Sequence, residues 1–254
     1  AGPVDAQTEP PAERELAELT KFAGMELEAW DVTYWLEKYK QEKFSISNEE
    51  LRAYFPAQTV KEGLFALAAQ LYGVELTADD SVATWHEDVR YYNVTQGGDV
   101  IGSFYTDLYA RNGKRTGAWI DECVTRESLN GHSALPVGYL VCNFQPPDDK
   151  GVSLLTHDDV VTLFHEFGHM LHHLLTRVGF PSVAGINGVP WDAVELPSQF
   201  MENFAWSYDV LTRCSNHHEF NKPLPRELFD KLDDSRHAGA ALAMLRQLEL
   251  GLFD

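Results

Sequence analysis

The stretch Thr156–Leu175, THDDVVTLFHEFGHMLHHLL, decides the fold class, because it predicts one long apolar helix that carries two histidines four residues apart. Apolar side chains recur through it at helical spacing, and Thr156 with Asp159 forms a capping pair at its start. Gly179 and Pro181 follow, and both residue types are typical of a helix end. Histidines in so apolar a helix need partners if they are buried.

Zinc is the partner that this spacing favours. His165 and His169 project from the same helix face one turn apart, as two ligands of a single Zn²⁺ do. Glu166 is rotated off that face, so it can reach a metal-activated water without ligating the ion. The H-E-x-x-H string arises by chance in roughly a few per cent of chains with so many histidines. It therefore favours a zinc-dependent peptide hydrolase without establishing one.

The third ligand has to come from outside this helix. The metzincin extension requires a histidine at position 175, where this chain has leucine. His172 lies one turn past His169, but three ligands on successive turns of a straight helix are too spread to converge on one ion at ~2 Å bonds. A glutamate from the next helix is the remaining solution. Glu195 and Glu202 both lie there, about two turns apart on the same side, and spacing alone does not choose between them.

A family resemblance covers nearly the whole chain. The segment His157–Asn203 joins the histidine motif to Gly-Val-Pro-Trp-Asp-Ala-Val-Glu-Leu-Pro-Ser-Gln-Phe-Met-Glu-Asn, and it resembles the thimet oligopeptidase family, most of all the bacterial oligopeptidase A type. The similarity continues in Gly102–Trp119 and in Leu245–Phe253. These motifs are far more specific than the histidine pentad alone.

The resemblance implies a metalloendopeptidase that hydrolyses internal bonds of short peptides with one Zn²⁺ per chain. It implies that His165, His169 and Glu195 are the metal ligands and that Glu166 is the general base. Two alternatives remain open: a scaffold that keeps only the metal site, and a zinc aminopeptidase. The second is prompted by Met201-Glu-Asn203, but in aminopeptidases a similar string precedes the zinc motif.

Side chains near the ligands are expected to orient them. Ser198, Gln199 and Glu202 are candidates to hold the far imidazole nitrogens, and Glu202 is the first choice. Gly168 is expected to let the following helix pack closely beside the metal.

The fold class is mainly α (α+β), a zincin-like helical core with a small, mostly antiparallel sheet before the metal-binding helix. Asn112-Gly113 predicts a hairpin between strands 100–110 and 114–120. Strands 137–144 and 152–155 are expected to form a second pair. An exposed edge of this small sheet could hold an extended peptide by main-chain hydrogen bonds. The alternative is that the rest of the protein covers this edge. Further helices are predicted at 12–23, 30–43, 59–72, 225–233 and 235–250.

Two regions are expected along the chain: a flexible lead-in over residues 1–11 and a single catalytic domain over residues 12–254. Members of the resembled family are longer at both ends. Their C-terminal segment, rich in Gly, Tyr and His, helps to bind substrate and to stabilise the oxyanion, and this chain is expected to be the central portion without it.

Composition excludes several other classes. With 39 acidic and 20 basic residues the net charge is −19, which argues against binding to nucleic acid or to an anionic membrane. Three cysteines without framework spacing suit a reducing, cytoplasmic setting. Cys214 with His217 and His218 suggests a second metal site, but the missing second ligand pair favours an exposed polar loop. The sequence does not indicate an oligomeric state.

Overall fold

The computed structural model describes residues 10–129 and 131–253, which fall into two compact units. The larger unit is Asn48–Leu224, and the smaller combines Ala1–Ser47 with Pro225–Asp254. Most of the predicted lead-in lies outside the described residues, and the first helix begins at Pro11. The helices are α1 (Pro11–Ala23), α2 (Val32–Phe44), α3 (Asn48–Arg52), α4 (Ala57–Tyr72), α5 (His157–Leu175), α6 (Leu196–Glu202), α7 (Tyr208–Arg213), α8 (Arg226–Ser235) and α9 (Ala240–Phe253). The strands are β1 (Glu75–Ala78), β2 (Arg90–Gln96), β3 (Asp99–Tyr109), β4 (Trp119–Val124), β5 (Glu127–Leu129), β6 (His132–Ala134) and β7 (Val137–Phe144).

Helix α5 is the central element of the larger unit and begins where the sequence predicts. The Asp159 backbone N–H donates to the Thr156 hydroxyl at 3.1 Å, and the Thr156 N–H donates back to the Asp159 carboxylate at 2.9 Å. This reciprocal capping box satisfies two otherwise free donors at the helix start. The helix ends at Leu175, a few residues before the predicted stop at Gly179, because Thr176 already leaves the helical conformation.

The sheet that precedes α5 has five strands in the order β1-β2-β3-β7-β4. Only β3 and β7 are parallel, so the mostly antiparallel sheet and the α+β class are confirmed. Both predicted strand pairs are wrong. β3 and β4 do not pair across Asn112-Gly113, and Leu154 of the predicted 152–155 strand forms only an isolated bridge with Pro56. The hairpin in this sheet instead joins β2 to β3 through Gly97 and Gly98, both at positive φ.

Burial explains why the local turn signal at Asn112-Gly113 does not decide the pairing. β7 is an almost continuous apolar run, and most of its residues are buried. Such a strand is stable at the centre of a sheet, with a neighbour on each side. β7 therefore inserts between β3 and β4 and leaves β4 as an edge strand.

One face of the sheet packs against α5 through small residues on the strands. A Cβ added to Gly138 of β7 would lie 2.7 Å from the Met170 sulfur, and one added to Gly102 of β3 would lie 3.2 Å from Leu174. The Phe167 ring of α5 lies 6.0 Å from the Phe104 ring of β3. These contacts fix the helix against the sheet and leave its opposite face for α6.

Asp107, at the end of β3, is the centre of a buried ion network. Both its oxygens accept from the Arg111 guanidinium, at 2.6 and 2.7 Å, and Lys114 donates to it at 2.9 Å. Trp85 donates through its indole N–H at 3.1 Å. Burial works to raise the pKa of Asp107, but the donors from Arg111, Lys114 and Trp85 outweigh it and lower the pKa to about 2.

Replacing Asp107 by asparagine is expected to reduce the free energy of unfolding by about 2–4 kcal/mol near neutral pH, because Lys114 keeps its charge without a counter-charge. Since the pKa of Asp107 falls from 3.8 to about 2 on folding, its contribution is complete above about pH 4 and disappears as the pH falls through about 2. Urea denaturation should show that the difference in free energy of unfolding between the two proteins shrinks by about 2 kcal/mol as the pH falls from about 4 to about 2. The exposed Asp80→Asn is the control, and a pH-independent difference would contradict the network.

The smaller unit contains α1, α2, α8 and α9, close to the predicted helices except at its C-terminal end. The sequence predicts one helix over 235–250. In the structure Ser235 is the last residue of α8, and α9 begins only at Ala240. The Glu15 carboxylate of α1 accepts the backbone N–H groups of Ala241 and Leu242, so it caps the first turn of α9. No helix in the described part of the chain is both long and apolar enough to cross a bilayer.

Candidate metal centre

Helix α5 presents two imidazole rings toward one point. The rings of His165 and His169 lie 5.0 Å apart, centroid to centroid, and are nearly perpendicular. The Nε2 atoms of His165 and His169 lie 3.2 and 2.9 Å from the same carboxylate oxygen, Oε2 of Glu195. The i, i+4 spacing on a helix therefore produces the convergence that the sequence predicts.

Glu195 reaches this point because α6 crosses α5 at a glycine. Glu195 immediately precedes α6, and Pro197 follows in its first turn. A Cβ on Gly168 would lie 2.5 Å from the Pro197 carbonyl oxygen and 2.7 Å from Ser198 Cα. Both are backbone atoms that cannot move aside cheaply, so only glycine permits this approach. The expectation that Gly168 allows close helix packing is confirmed.

Glu202, the other candidate third ligand, lies behind the site. Its Oε1 is 2.6 Å from Nδ1 of His165, on the far side of the ring from Glu195. A carboxylate at Nδ1 requires a proton there, which leaves Nε2 of the neutral ring with a free lone pair. Glu202 thus holds His165 in the tautomer that a metal ion requires, and the predicted contact between Glu202 and an imidazole is present.

The geometry of the donor set fits Zn²⁺. One donor atom from each of His165, His169 and Glu195 lies within 4.8 Å of the others. Bonds of 2.0–2.2 Å at tetrahedral angles place ligand atoms about 3.3 Å apart, close to the separations found here. Two neutral imidazoles and one carboxylate also leave a fourth position open, as catalytic zinc sites do. Burial, with a smaller contribution from His165, lowers the pKa of His169 and so favours its neutral form.

Glu166 lies on α5 between the two histidines and is buried, with 7% of its surface exposed. Burial raises the pKa of its carboxyl to about 7; the neighbouring Glu195 adds to this rise and His165 opposes it. A carboxyl with such a pKa can both accept and return a proton near neutral pH. Its position and environment suit a general base beside the ligand cluster.

Two further histidines of α5, His172 and His173, are not part of the cluster. His173 is fully buried, and its Nε2 lies 3.2 Å from the Val137 carbonyl of β7, where it joins the helix to the sheet. The buried Nδ1 of His172 makes no hydrogen bond to any residue that the structure describes, and burial, then His169 and His173, lower the pKa of His172. Neither belongs to the group of donors that converges at Glu195.

The suspected second site around Cys214 does not form. Cys214 is buried, and Gly63 packs so closely against it that a Cβ on Gly63 would lie 2.5 Å from the Cys214 Sγ. His217 instead stacks on His218 and on Phe220. Within residues 10–129 and 131–253, the His165–His169–Glu195 group is the one cluster of three His, Cys, Asp or Glu side chains close enough to share a metal ion.

Ser198 contacts a different group from the one its place in the sequence suggests. It was a candidate to hold an imidazole, but its hydroxyl bonds Glu195 at 2.7 Å. A small polar residue three positions after a ligand glutamate is the one sequence signal that could have indicated this contact, because i and i+3 are neighbours on a helix.

The helix pair, the histidine-glutamate cluster and the preceding sheet together form a candidate metallopeptidase centre. A model of peptidase family M3 matches residues 3–254, and the chain belongs to that family. The resemblance to oligopeptidase A is confirmed: the chain is 50% identical to oligopeptidase A of Escherichia coli over 252 residues, 96% of this chain and 37% of that protein.

More distant relatives share the same region. A probable cytosolic oligopeptidase A of Arabidopsis thaliana is 41% identical over 258 residues, 96% of this chain and 37% of that protein. The dipeptidyl carboxypeptidase of Escherichia coli is 36% identical over 233 residues, 91% of this chain and 34% of that protein. The chain thus spans little more than a third of the length of these relatives.

Proposed function

We propose that this chain holds the catalytic centre of a zinc-dependent metalloendopeptidase, an oligopeptidase that cuts internal bonds of short peptides. The observation that supports it best is the convergence of His165, His169 and Glu195 on one point, with the buried Glu166 carboxyl on the same helix. Membership of peptidase family M3 supports the same reaction class.

The chemistry divides between the metal and one side chain. Held by His165, His169 and Glu195, zinc would supply positive charge that acidifies a water molecule and polarises the scissile carbonyl. Glu166 accepts the proton of that water as it attacks the carbonyl, and then donates it to the leaving amine. Glu202 keeps the proton of His165 on Nδ1 throughout, so that Nε2 stays available to the metal.

The edge strand β4 is the proposed binding surface for the peptide. It lies on the outer edge of the sheet, pairs only with β7 among the described residues, and packs near α5. An extended peptide can add to such an edge by main-chain hydrogen bonds, which do not depend on side-chain identity. This mode of binding suits an enzyme that accepts many short sequences.

A dipeptidyl carboxypeptidase is the second candidate, because one relative carries that name. We prefer an oligopeptidase, since the chain is 50% identical to oligopeptidase A and 36% identical to the dipeptidyl carboxypeptidase. We place the protein in the cytoplasm, where the three unpaired cysteines would stay reduced. Mapping the products of a peptide blocked at both ends distinguishes the two activities, because an enzyme that must bind a free C-terminus cannot cut it.

Metal analysis tests the proposal as a whole. Protein purified without chelator should contain close to one zinc per chain, lose it on dialysis against a chelator, and regain it when zinc is returned. Hydrolysis of a short internally quenched peptide should be lost and regained with the metal. A chain that holds no zinc even after incubation with the ion would overturn the proposal and leave a helical scaffold in its place.

A further inference from the structure

Of the three donor side chains, that of Glu195 is held least firmly by packing. Its side chain is 48% exposed, against 26% for His165 and 11% for His169. An exposed glutamate before a helix has many rotamers, and fixing it in one of them loses conformational entropy. Something other than burial must therefore hold its carboxylate toward the imidazoles.

The Ser198 hydroxyl makes the contact that does this. Ser198 is fully buried, and its Oγ lies 2.7 Å from Oε2 of Glu195, the oxygen that faces both imidazoles. The same Oγ lies 2.9 Å from the Glu195 carbonyl oxygen. That carbonyl already accepts the Gln199 N–H at 2.9 Å, so the single hydroxyl proton is better used on the charged carboxylate.

The serine itself is held by the helix crossing. Its Cα lies against Gly168, where a Cβ would approach to 2.7 Å. The donor is thus fixed by backbone packing of α6 on α5, the helix that carries both histidines. A hydroxyl in this position has no charge to titrate, so it orients the carboxylate whether or not a metal is bound.

We propose, on the basis of the function proposed above, that Ser198 is a positioning residue that holds the Glu195 carboxylate in its metal-ligating orientation. A carboxylate oxygen has lone pairs enough to accept the Ser198 proton and to ligate zinc at the same time. The hydroxyl therefore orients the third ligand before the metal binds. Its loss should weaken metal binding in addition to the modest loss of stability expected for any buried serine.

The test is the zinc Kd of Ser198→Ala, measured on the whole chain by competition with a chelator. Loss of a group that orients a ligand typically weakens metal affinity about 10–100-fold, and that is the expected result. Ser215→Ala is the matched control. Ser215 is also buried and bonds the backbone of Thr212 and Leu224, but it lies outside the cluster. Its zinc Kd should equal that of the wild type.

Urea denaturation of the metal-free proteins separates positioning from packing. Ser198→Ala and Ser215→Ala should lose similar stability, while only the first loses zinc affinity. Ser198→Thr keeps the hydroxyl and should bind zinc more tightly than Ser198→Ala. Equal zinc Kd values for Ser198→Ala and wild type would overturn the proposed role of Ser198 but not the proposed function. The same holds if zinc affinity falls equally in the Ala and Thr variants. A wild-type chain without zinc affinity would instead overturn the proposed function.

Discussion

Replacing Glu166 by glutamine is expected to reduce peptide cleavage by about 10²–10⁴-fold, the usual contribution of a positioned general acid–base group. Glutamine has nearly the same shape but cannot accept a proton from water. Because Glu166 is not among the three converging donors, the variant should keep its zinc. The measurement is the rate of hydrolysis of an internally quenched short peptide, normalised to the zinc content of each protein.

The matched control for this substitution is Glu87→Gln, an exposed glutamate outside the ligand cluster. It should leave both cleavage and zinc content at the wild-type level. Equal cleavage by wild type and Glu166→Gln would show that the activity comes from a contaminating protease or that another residue is the base. Loss of zinc in Glu166→Gln would contradict the division between ligands and base.

Replacing His169 by alanine should weaken zinc binding by more than about 100-fold, beyond the loss expected when only an orienting partner is removed. Its Nε2 is 2.9 Å from Glu195, so the change removes one of three donors and leaves the Glu195 carboxylate facing a single imidazole. Two remaining donors hold Zn²⁺ poorly, because a stable site uses three or four protein ligands. Cleavage should fall with the bound metal.

A thermal readout checks the same prediction without a substrate. Zinc at 100 times its Kd should stabilise the wild-type chain by about 2.7 kcal/mol, because it binds only the folded form. His169→Ala should show no such shift at the same concentration. His132→Ala, at an exposed histidine of β6, is the control and should respond to zinc as the wild type does. A zinc response retained by His169→Ala would remove this residue from the ligand set.

Together with the Ser198 variants, these experiments give an expected order of effects. Loss of a ligand should weaken zinc binding most, loss of the serine hydroxyl should weaken it less, and loss of the base should leave it unchanged. The order follows from how each group acts on the metal. A ligand binds it directly, Ser198 acts through Glu195, and Glu166 acts only on the water. A different order would show which of the three assignments is at fault.

Local sequence patterns predicted the features that lie within one helix of the site better than the contacts between helices. The capping box of Thr156 and Asp159 and the histidine pair depend on residues within a few turns of one helix, so sequence spacing is sufficient. The choice between Glu195 and Glu202 could not be made in this way, since both occupy the same helix face. Family resemblance indicated Glu195, and the geometry places its carboxylate, not that of Glu202, toward both Nε2 atoms.

The sheet shows the limit of local signals most clearly. Asn112-Gly113 is a strong turn signal, yet the strands on its two sides are separated by β7, because burying that apolar strand outweighs the preference of one turn. The connection is instead tied back by Lys114, which donates to the carbonyls of Tyr109 and Cys142. Neither contact can be read from nearby sequence.

The sequence by itself determined helix α5, its paired histidines and the glutamate between them, because helical periodicity fixes which side chains share a face. Residue spacing left Glu195 and Glu202 equivalent, and the tertiary structure separates them: Glu195 faces both histidines and Glu202 lies behind His165. Only the tertiary structure shows that Ser198 holds a carboxylate rather than an imidazole. These arrangements depend on how closely two helices approach at Gly168. That distance is set by packing between segments about thirty residues apart, and no local pattern encodes it.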